Sequence, residues 1–457
     1  MKPTQHVDIA VVGAGIVGIA CAYYLALADR RPKVALIDPL APMSLTSAAS
    51  GENYRNWWPH PVMTAFTDYS IDLMETVASE SDDRLHMTRR GYALATRQAD
   101  PALLLRQLHE GYGLQGAAKI RVHKTGSAST YVPAESADWR TAPDGVDVIQ
   151  DRRLIERCFP SFDHAVATVL HIRRAGDISG QQLGSHMLER IRERGGRLIQ
   201  GHVVGIERSA AFDVAMTGAE GASSVRADVV VDAAGPSVGE VAALLGETLP
   251  VTNVFQQKIA FEDAQGVIDR RMPFAIDLDG QVIDWTDEER ALLADDPTTR
   301  WLTEPMPGAI HCRPDGGEHG RWIKLGWAYN KEPSQPTTDL PTDGNFPEIV
   351  LRGASRLNPG LRTYYGRLPS RLSHYGGYYT MTRENWPLIG PMATKGAYVA
   401  GALSGYGTMG ACATGALVSA WVLGGTLPAF ARSLSLARYD DKALMQDLLA
   451  ATNTGVL

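Results

Sequence analysis

The chain has 457 residues, of which 44% are hydrophobic and 21% charged, and its net charge is −7. That balance is ordinary for a globular protein of two or three domains. With no run of Lys or Arg it argues against a nucleic-acid partner. Cys21, Cys158, Cys312 and Cys412 are scattered and form no CxxC pair, which argues against a zinc site or a disulfide framework and fits a reducing, cytoplasmic compartment. No metal site is expected.

Val7 to Val12 is a short β-branched run ending in glycine and predicts a buried strand. Ile16 to Ala28 follows as a helix, and Lys33 to Ile37 as a second strand ending at Asp38. The stretch Ile9 to Ala28 is nearly uncharged and as long as a membrane span. It lacks a basic flank beyond Lys2, and its glycine spacing explains it better, so neither a signal peptide nor a membrane span is expected. Further along, Ala102 to Tyr112 and Leu183 to Arg194 read as helices, and Arg197 to Glu207 and Val225 to Ala233 as strands. From Val238 to Arg371 alternating stretches such as Ile323 to Trp327 predict antiparallel sheet, and Asp284 to Pro307 a surface excursion. Gly396 to Ala400 is a strand, Gly405 to Gly410 a glycine-rich turn, and Ala411 to Leu423 a helix too short to cross a membrane.

Gly13-Ala14-Gly15-Ile16-Val17-Gly18 is a complete GxGxxG between a predicted strand and a predicted helix, the context that gives the pattern meaning. Gly13 permits the tight turn, Gly15 the approach of a pyrophosphate, and Gly18 close packing of helix on strand. The helix N-terminus offers N–H donors to phosphate. Asp38, 20 residues after Gly18, is placed to accept hydrogen bonds from ribose hydroxyls and to repel a 2′-phosphate.

This unit, the segment Val229 to Gly235, the block Gly377-Tyr378-Tyr379 through Pro387-Leu388-Ile389-Gly390-Pro391, and Gly401 to Gly407 together resemble the D-amino acid oxidase superfamily. In motif they are most like its glycine oxidase, sarcosine oxidase and dimethylglycine dehydrogenase branch. The resemblance runs from about Val7 to Tyr439. It implies an α/β fold with a discontinuous Rossmann-like FAD-binding domain of the GR2 type and a substrate domain with a mixed or antiparallel sheet. The expected division is 1–90, 151–236 and 371–457 for FAD, and 91–150 and 237–370 for substrate. The cofactor contacts it implies are Gly13, Gly15, Ile16, Val17, Gly18, Asp38 and Pro39; Thr46, Ser47, Ala49, Ser50 and Gly51; Val203; Ala234 and Gly235; and Gly401, Ser404, Gly405, Tyr406, Gly407, Thr408 and Met409.

Departures from the family carry information too. Gly377 stands where sarcosine oxidase has the cysteine that anchors its flavin, and Ser47 to Asn53 lacks the histidine used by dimethylglycine dehydrogenase-like relatives. Non-covalent FAD is therefore expected. Met409 stands where sarcosine oxidase has a carboxylate-binding lysine, which weakens the case for a simple N-methyl amino acid.

The resemblance implies hydride transfer from a carbon bearing nitrogen to flavin N5, with oxygen or another acceptor reoxidising the flavin. Arg55, Lys258 and Tyr379 are the candidate catalytic residues. Arg55 suits a carboxylate or the flavin edge, or a structural arginine. Lys258 and Lys324 suit oxygen activation, or solvation. Tyr379 and Tyr406 suit the flavin face, or the core. Trp57, Trp58 and His60 suit the substrate pocket, or a domain interface, while His171, Arg313 and Arg367 have no evident place. The leading expectation is oxidation of a small amine or amino acid. The alternatives are a 2-hydroxy-acid dehydrogenase and a non-catalytic flavoprotein assembly factor.

Overall fold

The computed structural model describes residues 5–126, 129–134, 138–219, 221–317 and 319–450. Strand β1 (Gln5–Val12), helix α1 (Ile16–Leu27) and strand β2 (Val34–Asp38) form the expected βαβ unit. β1 runs parallel to β2 on one side and to the strand Gly221–Asp232 on the other. Around this centre the described residues build an eight-stranded sheet, with Ala397–Gly401 parallel to the end of Gly221–Asp232 and Leu388–Pro391 antiparallel to Ala397–Gly401. The stretch Arg197 to Glu207, expected as one strand, breaks at Gly201. Arg197–Gln200 pairs with β2, and His202–Arg208 turns to pair antiparallel with Phe212–Gly218.

The expected turn from Gly405 to Gly410 is mostly helix, because the helix starts at Gly407 and runs to Leu423. Its glycines serve packing as well as turning. A Cβ on Gly415 would lie 2.5 Å from the backbone of Ala20 in α1. The expected excursion over Asp284 to Pro307 carries the helix Asp287–Asp295, which has no buried residue and is held by a capping box from Thr286 and Glu289.

The second sheet has nine strands, in the order Leu372–Met381, Thr252–Glu262, Trp322–Gly326, Ile310–Asp315, Phe274–Asp277, Tyr92–Thr96, Thr168–Ile172, Val146–Ile149, Ile120–His123. Most neighbours are antiparallel, and two pairs are parallel. Two expected boundaries need correction. Thr168–Ile172 lies in this sheet, and the preceding helix Arg152–Cys158 packs Leu154 and Ile155 into its core, so the change at 150 falls too early. Leu372–Met381 also belongs here, paired along its length with Thr252–Glu262, so the change at 371 is early as well. Neither strand carries a local mark of its sheet; long-range pairing decides it.

Alternation along these strands sorts their side chains. Ile259, Phe261, Cys312, Ile323 and Leu325 face the apolar core under the helix Phe346–Ser355. Their neighbours Lys258, His311, Arg313, Lys324 and Tyr375 share the opposite face, where Lys258 stands across from Gly326 and Tyr375, and Gly326 from His311.

His171, unplaced from sequence, is fully buried between Tyr131 Oη at 3.0 Å and the Arg90 carbonyl at 2.7 Å. Burial, reinforced by nearby Arg173, pushes its pKa down to about 3. The unfolded chain then binds a proton near pH 6.5 that the folded chain refuses. Stability should fall as pH drops from 6.5 toward 3, by up to about 1.4 kcal/mol per unit from this group. Urea unfolding across that range should show a shallower decline in His171→Gln. A second expectation concerns Gly415→Ala. On an open helix it would stabilise by about 0.5–1 kcal/mol, but against Ala20 it should destabilise by about 1–3 kcal/mol, read as a lowered thermal midpoint.

Candidate functional site

A cavity of about 420 Å³ opens over the C-terminal ends of β1 and β2. Of the residues expected to hold cofactor, Gly13, Gly15, Ile16, Val17, Asp38, Pro39, Thr46, Ser47, Ala49, Ser50, Val203, Ala234, Gly235, Gly401, Ser404, Gly405, Gly407 and Thr408 line it. Backbone crowding explains the glycines. Gly13 has φ +107°, and a Cβ there would strike the Ala233 carbonyl. Gly18 does not line the cavity; a Cβ on it would run into the carbonyl of Gly13, so it serves helix-on-strand packing.

Polar groups on this wall are partly spoken for. Asp38 accepts from the backbone N–H of Ala14 at 2.6 Å through one oxygen and from Leu40 at 2.8 Å through the other. Each oxygen keeps a further acceptor site. At the helix N-terminus, where N–H donors for phosphate are expected, the N–H of Ile16 donates to Ser47 Oγ at 3.0 Å. Thr46 Oγ1 is buried at the wall and has no hydrogen-bond partner among the described residues. A bare-backbone cradle, a spare carboxylate and an orphaned hydroxyl fit a dinucleotide with its hydroxyls and phosphates. Among the described residues the lining contains neither cysteine nor histidine, and Gly377 sits at the wall against Thr46 and Ala49.

A second pocket of about 90 Å³ adjoins the first and shares Ser50, Lys258, Tyr379, Ser404, Gly405 and Thr408 with it. Gly51, Tyr406 and Met409, expected in the cofactor cavity, line this pocket instead. Arg55 also belongs here, as do Trp58, Tyr92, Phe274, His311 and Asn385. The pocket is thus walled by aromatic rings, with the cations of Arg55 and Lys258 and the carboxylate of Glu52 among them.

Arg55 is 3% exposed. Its Nε donates to the Trp57 carbonyl, and its guanidinium lies 5.1 Å from the ring centre of Trp58 and 5.7 Å from that of Tyr92. Burial lowers its pKa. Its backbone N–H meets Met409 Sδ at 3.1 Å, tying this strand to the Gly407–Leu423 helix. Trp57 packs in the core and His60 caps the helix Pro61–Glu80, so of that aromatic trio only Trp58 reaches the pocket.

Neither lysine is solvated. Lys324 bridges Glu52 and Asp315, each at 3.3 Å, and Arg313 beside it pairs with Asp315 at 3.0 Å and donates to the Gly51 carbonyl. Lys258 is 8% exposed and lines both cavities. Its Nζ contacts the Ala49 carbonyl at 3.3 Å and lies 5.7 Å from the Tyr379 ring centre, and among the described residues no carboxylate reaches it. Tyr379 is half-buried, and a Cβ on Gly405 would lie 2.5 Å from its ring. Arg367 is exposed, away from both cavities.

Several lining residues went unforeseen. Pro336, Thr337 and Thr338 close the cofactor cavity, anchored where the Thr337 N–H donates to Tyr378 Oη at 3.0 Å. His311, Phe274 and Tyr92 reach the second pocket through cross-strand register. Burial, then the positive charge of Lys258, depresses the His311 pKa to about 3. The one sequence signal for His311 was its alternation with Cys312 and Arg313.

A family model described as FAD dependent oxidoreductase (DAO) matches residues 8–421. Among solved structures, glycine oxidase from Geobacillus kaustophilus is 18% identical, with a TM-score of 0.69 and coverage of 95% of this chain and 99% of that one. L-proline dehydrogenase from P. horikoshii is 18% identical, with a TM-score of 0.71 over 96% and 99%. NikD, an amino acid oxidase of nikkomycin biosynthesis, is 16% identical, with a TM-score of 0.67 over 94% and 98%. No curated protein sequence matches the chain. No helix among the described residues is long and apolar enough to cross a membrane.

Replacing Asp38 with Ala should remove the acceptor shared by Ala14, Leu40 and the expected ribose. FAD uptake by the apoprotein, followed by flavin fluorescence, should weaken at least about tenfold. Unchanged uptake would overturn the placement of the ribose at Asp38.

Proposed function

The chain belongs to the DAO family of FAD-dependent oxidoreductases, and we propose that it oxidises the C–N bond of a small amine or amino acid to an imine, which then hydrolyses. The cofactor is FAD, held without a covalent link in the larger cavity by Gly13, Gly15, Asp38, Ser47, Val203 and the Gly401 to Thr408 segment. When bound, it supplies the hydride acceptor. The substrate occupies the smaller pocket. The division of labour between the two sheets follows: the eight-stranded layer holds cofactor, and the nine-stranded layer walls the substrate.

The observation that carries this reading is Lys258, a buried cation without a carboxylate partner among the described residues, at the wall common to both cavities. A buried charge is costly unless something compensates it. A substrate carboxylate does so, and anchors the α-carbon beside the cofactor. Arg55 contributes a second positive charge, with its orientation fixed by Trp57 and Trp58. Tyr379 closes the pocket between Lys258 and Gly405. Amino-acid substrates of similar solved structures, glycine for one and L-proline for another, suit such a site.

The decisive experiment is an anaerobic screen of amines, D- and L-amino acids and 2-hydroxy acids for bleaching of the visible flavin band. Amines or amino acids should bleach it. Bleaching by hydroxy acids alone would replace the reading with C–OH oxidation, and bleaching by nothing with a flavoprotein that does not turn over. Repeating the positive case in air tests oxygen as acceptor. For an amino acid that bleaches, Lys258→Met should raise the substrate dissociation constant at least about tenfold, on the order of 1.4 kcal/mol. FAD content should be unchanged.

A further inference from the structure

We infer that Arg438, which bonds to the turn at Glu384 to Pro387 but does not line the substrate pocket, is a positioning residue for that pocket; the inference rests on the pocket assignment proposed above. Arg438 and Glu384 form an ion pair with side chains 0% and 1% exposed. The Arg438 Nε donates to Glu384 Oε1 at 2.7 Å. Its other nitrogens reach the carbonyls of Pro387 at 2.6 Å and Trp386 at 3.2 Å. Tyr439 Oη donates to the same glutamate oxygen at 3.0 Å. One guanidinium thus ties down a carboxylate and two successive carbonyls of a single turn.

That turn carries Asn385, which is 2% exposed, holds φ +59° and lines the substrate pocket. Asparagine adopts left-handed backbone more readily than most residues, but the conformation still costs free energy, and the bonds around this turn hold it in place. Arg438 provides the enforcement from outside, and Thr382 from inside through its bonds to the N–H and carbonyl of Trp386. The effect passes on. The Asn385 carbonyl accepts from Tyr406 Oη at 3.1 Å. The Tyr406 ring packs edge-on against Trp58 at 4.9 Å, and Trp58 underlies the Arg55 guanidinium. Every link from Asn385 to Arg55 lines the pocket, while Arg438 does not. A guanidinium makes this set of bonds because of its planar fork, which an ammonium cannot reproduce.

The test uses the FAD-loaded full chain and benzoate as a carboxylate probe, titrated by its perturbation of the flavin spectrum, with thermal midpoint and FAD dissociation measured alongside. Arg438→Met should weaken benzoate at least about tenfold and leave FAD affinity within about twofold, and Arg438→Lys should fall between. Arg352→Met, which breaks an arginine pairing with the more exposed carboxylates of Glu289 and Glu348, none of which lines the pocket, should lower the midpoint without moving benzoate. If Arg438→Met fails to fold, Tyr406→Phe, which removes only the bond to the Asn385 carbonyl, should weaken benzoate in its place. Benzoate binding unchanged in Arg438→Met, or in Tyr406→Phe where that variant stands in, overturns the inference. So does a parallel loss in Arg352→Met. If wild-type protein itself ignores benzoate, the carboxylate reading of the pocket fails first and this inference falls with it.

Discussion

Backbone meets backbone at the first turn of this protein, closer than any side chain would allow. The turn after β1 presses against the Ala233 carbonyl at the end of the Gly221–Asp232 strand, and the first turn of α1 presses against the carbonyl of Gly13. Gly13 and Gly18 make this possible, and two segments more than two hundred residues apart are thereby locked at the mouth of one sheet. Asp38 adds a third strand end by accepting from Ala14. The larger cavity is the space left above these three ends. The Gly407–Leu423 helix completes it, held against α1 by a similar contact at Gly415. Substituting any of these glycines would displace backbone, so the cavity depends on them more than on any side chain that lines it.

Such constraints leave a local mark, and for that reason the cofactor side was legible in the sequence. Glycines at fixed offsets between a β-branched run and a helix, with an acidic residue at the next strand end, are sequential neighbours or nearly so. The second pocket left no comparable mark. Lys258 lies far up the chain from His311 and Gly326, which sit on two consecutive strands, and the three meet only because the register places them opposite one another. A slip of one residue would turn all three into the apolar core. The same reasoning covers the misplaced boundaries at 150 and 371, where strands of ordinary pattern join a sheet chosen by distant partners. Gly51, Tyr406 and Met409, expected in the cofactor cavity, line the adjoining pocket, and their chain neighbours Ser50, Gly405 and Thr408 line both.

Charge on the inner face of the nine-stranded sheet is arranged unevenly. Lys324, one strand over from Lys258, and Arg313, two strands over, are neutralised by Glu52 and Asp315. Glu52 is fixed in this position from two sides, since its other oxygen accepts from the Gly180 N–H and its own N–H donates to Ser50 Oγ. With that carboxylate committed, none turns toward the Lys258 ammonium among the described residues. Glu52 lines the pocket too, but with its charge taken up by Lys324 the potential around the Lys258 ammonium stays positive, and a neutral His311 adds none.

In the proposed reaction that potential does two things at once. It attracts a carboxylate, and it disfavours a second positive charge nearby, so the substrate amine is pushed toward its neutral form. Loss of hydride from the adjacent carbon needs the nitrogen lone pair, which only the neutral amine has. The aromatic walls strengthen the effect by keeping water from screening it. A positive pocket thus replaces a dedicated side-chain base in preparing the amine: the substrate gives up its proton to bulk water as it binds, and the side chains need only hold still. This accounts for a site rich in rings and cations, in which the one histidine, at the wall, is uncharged.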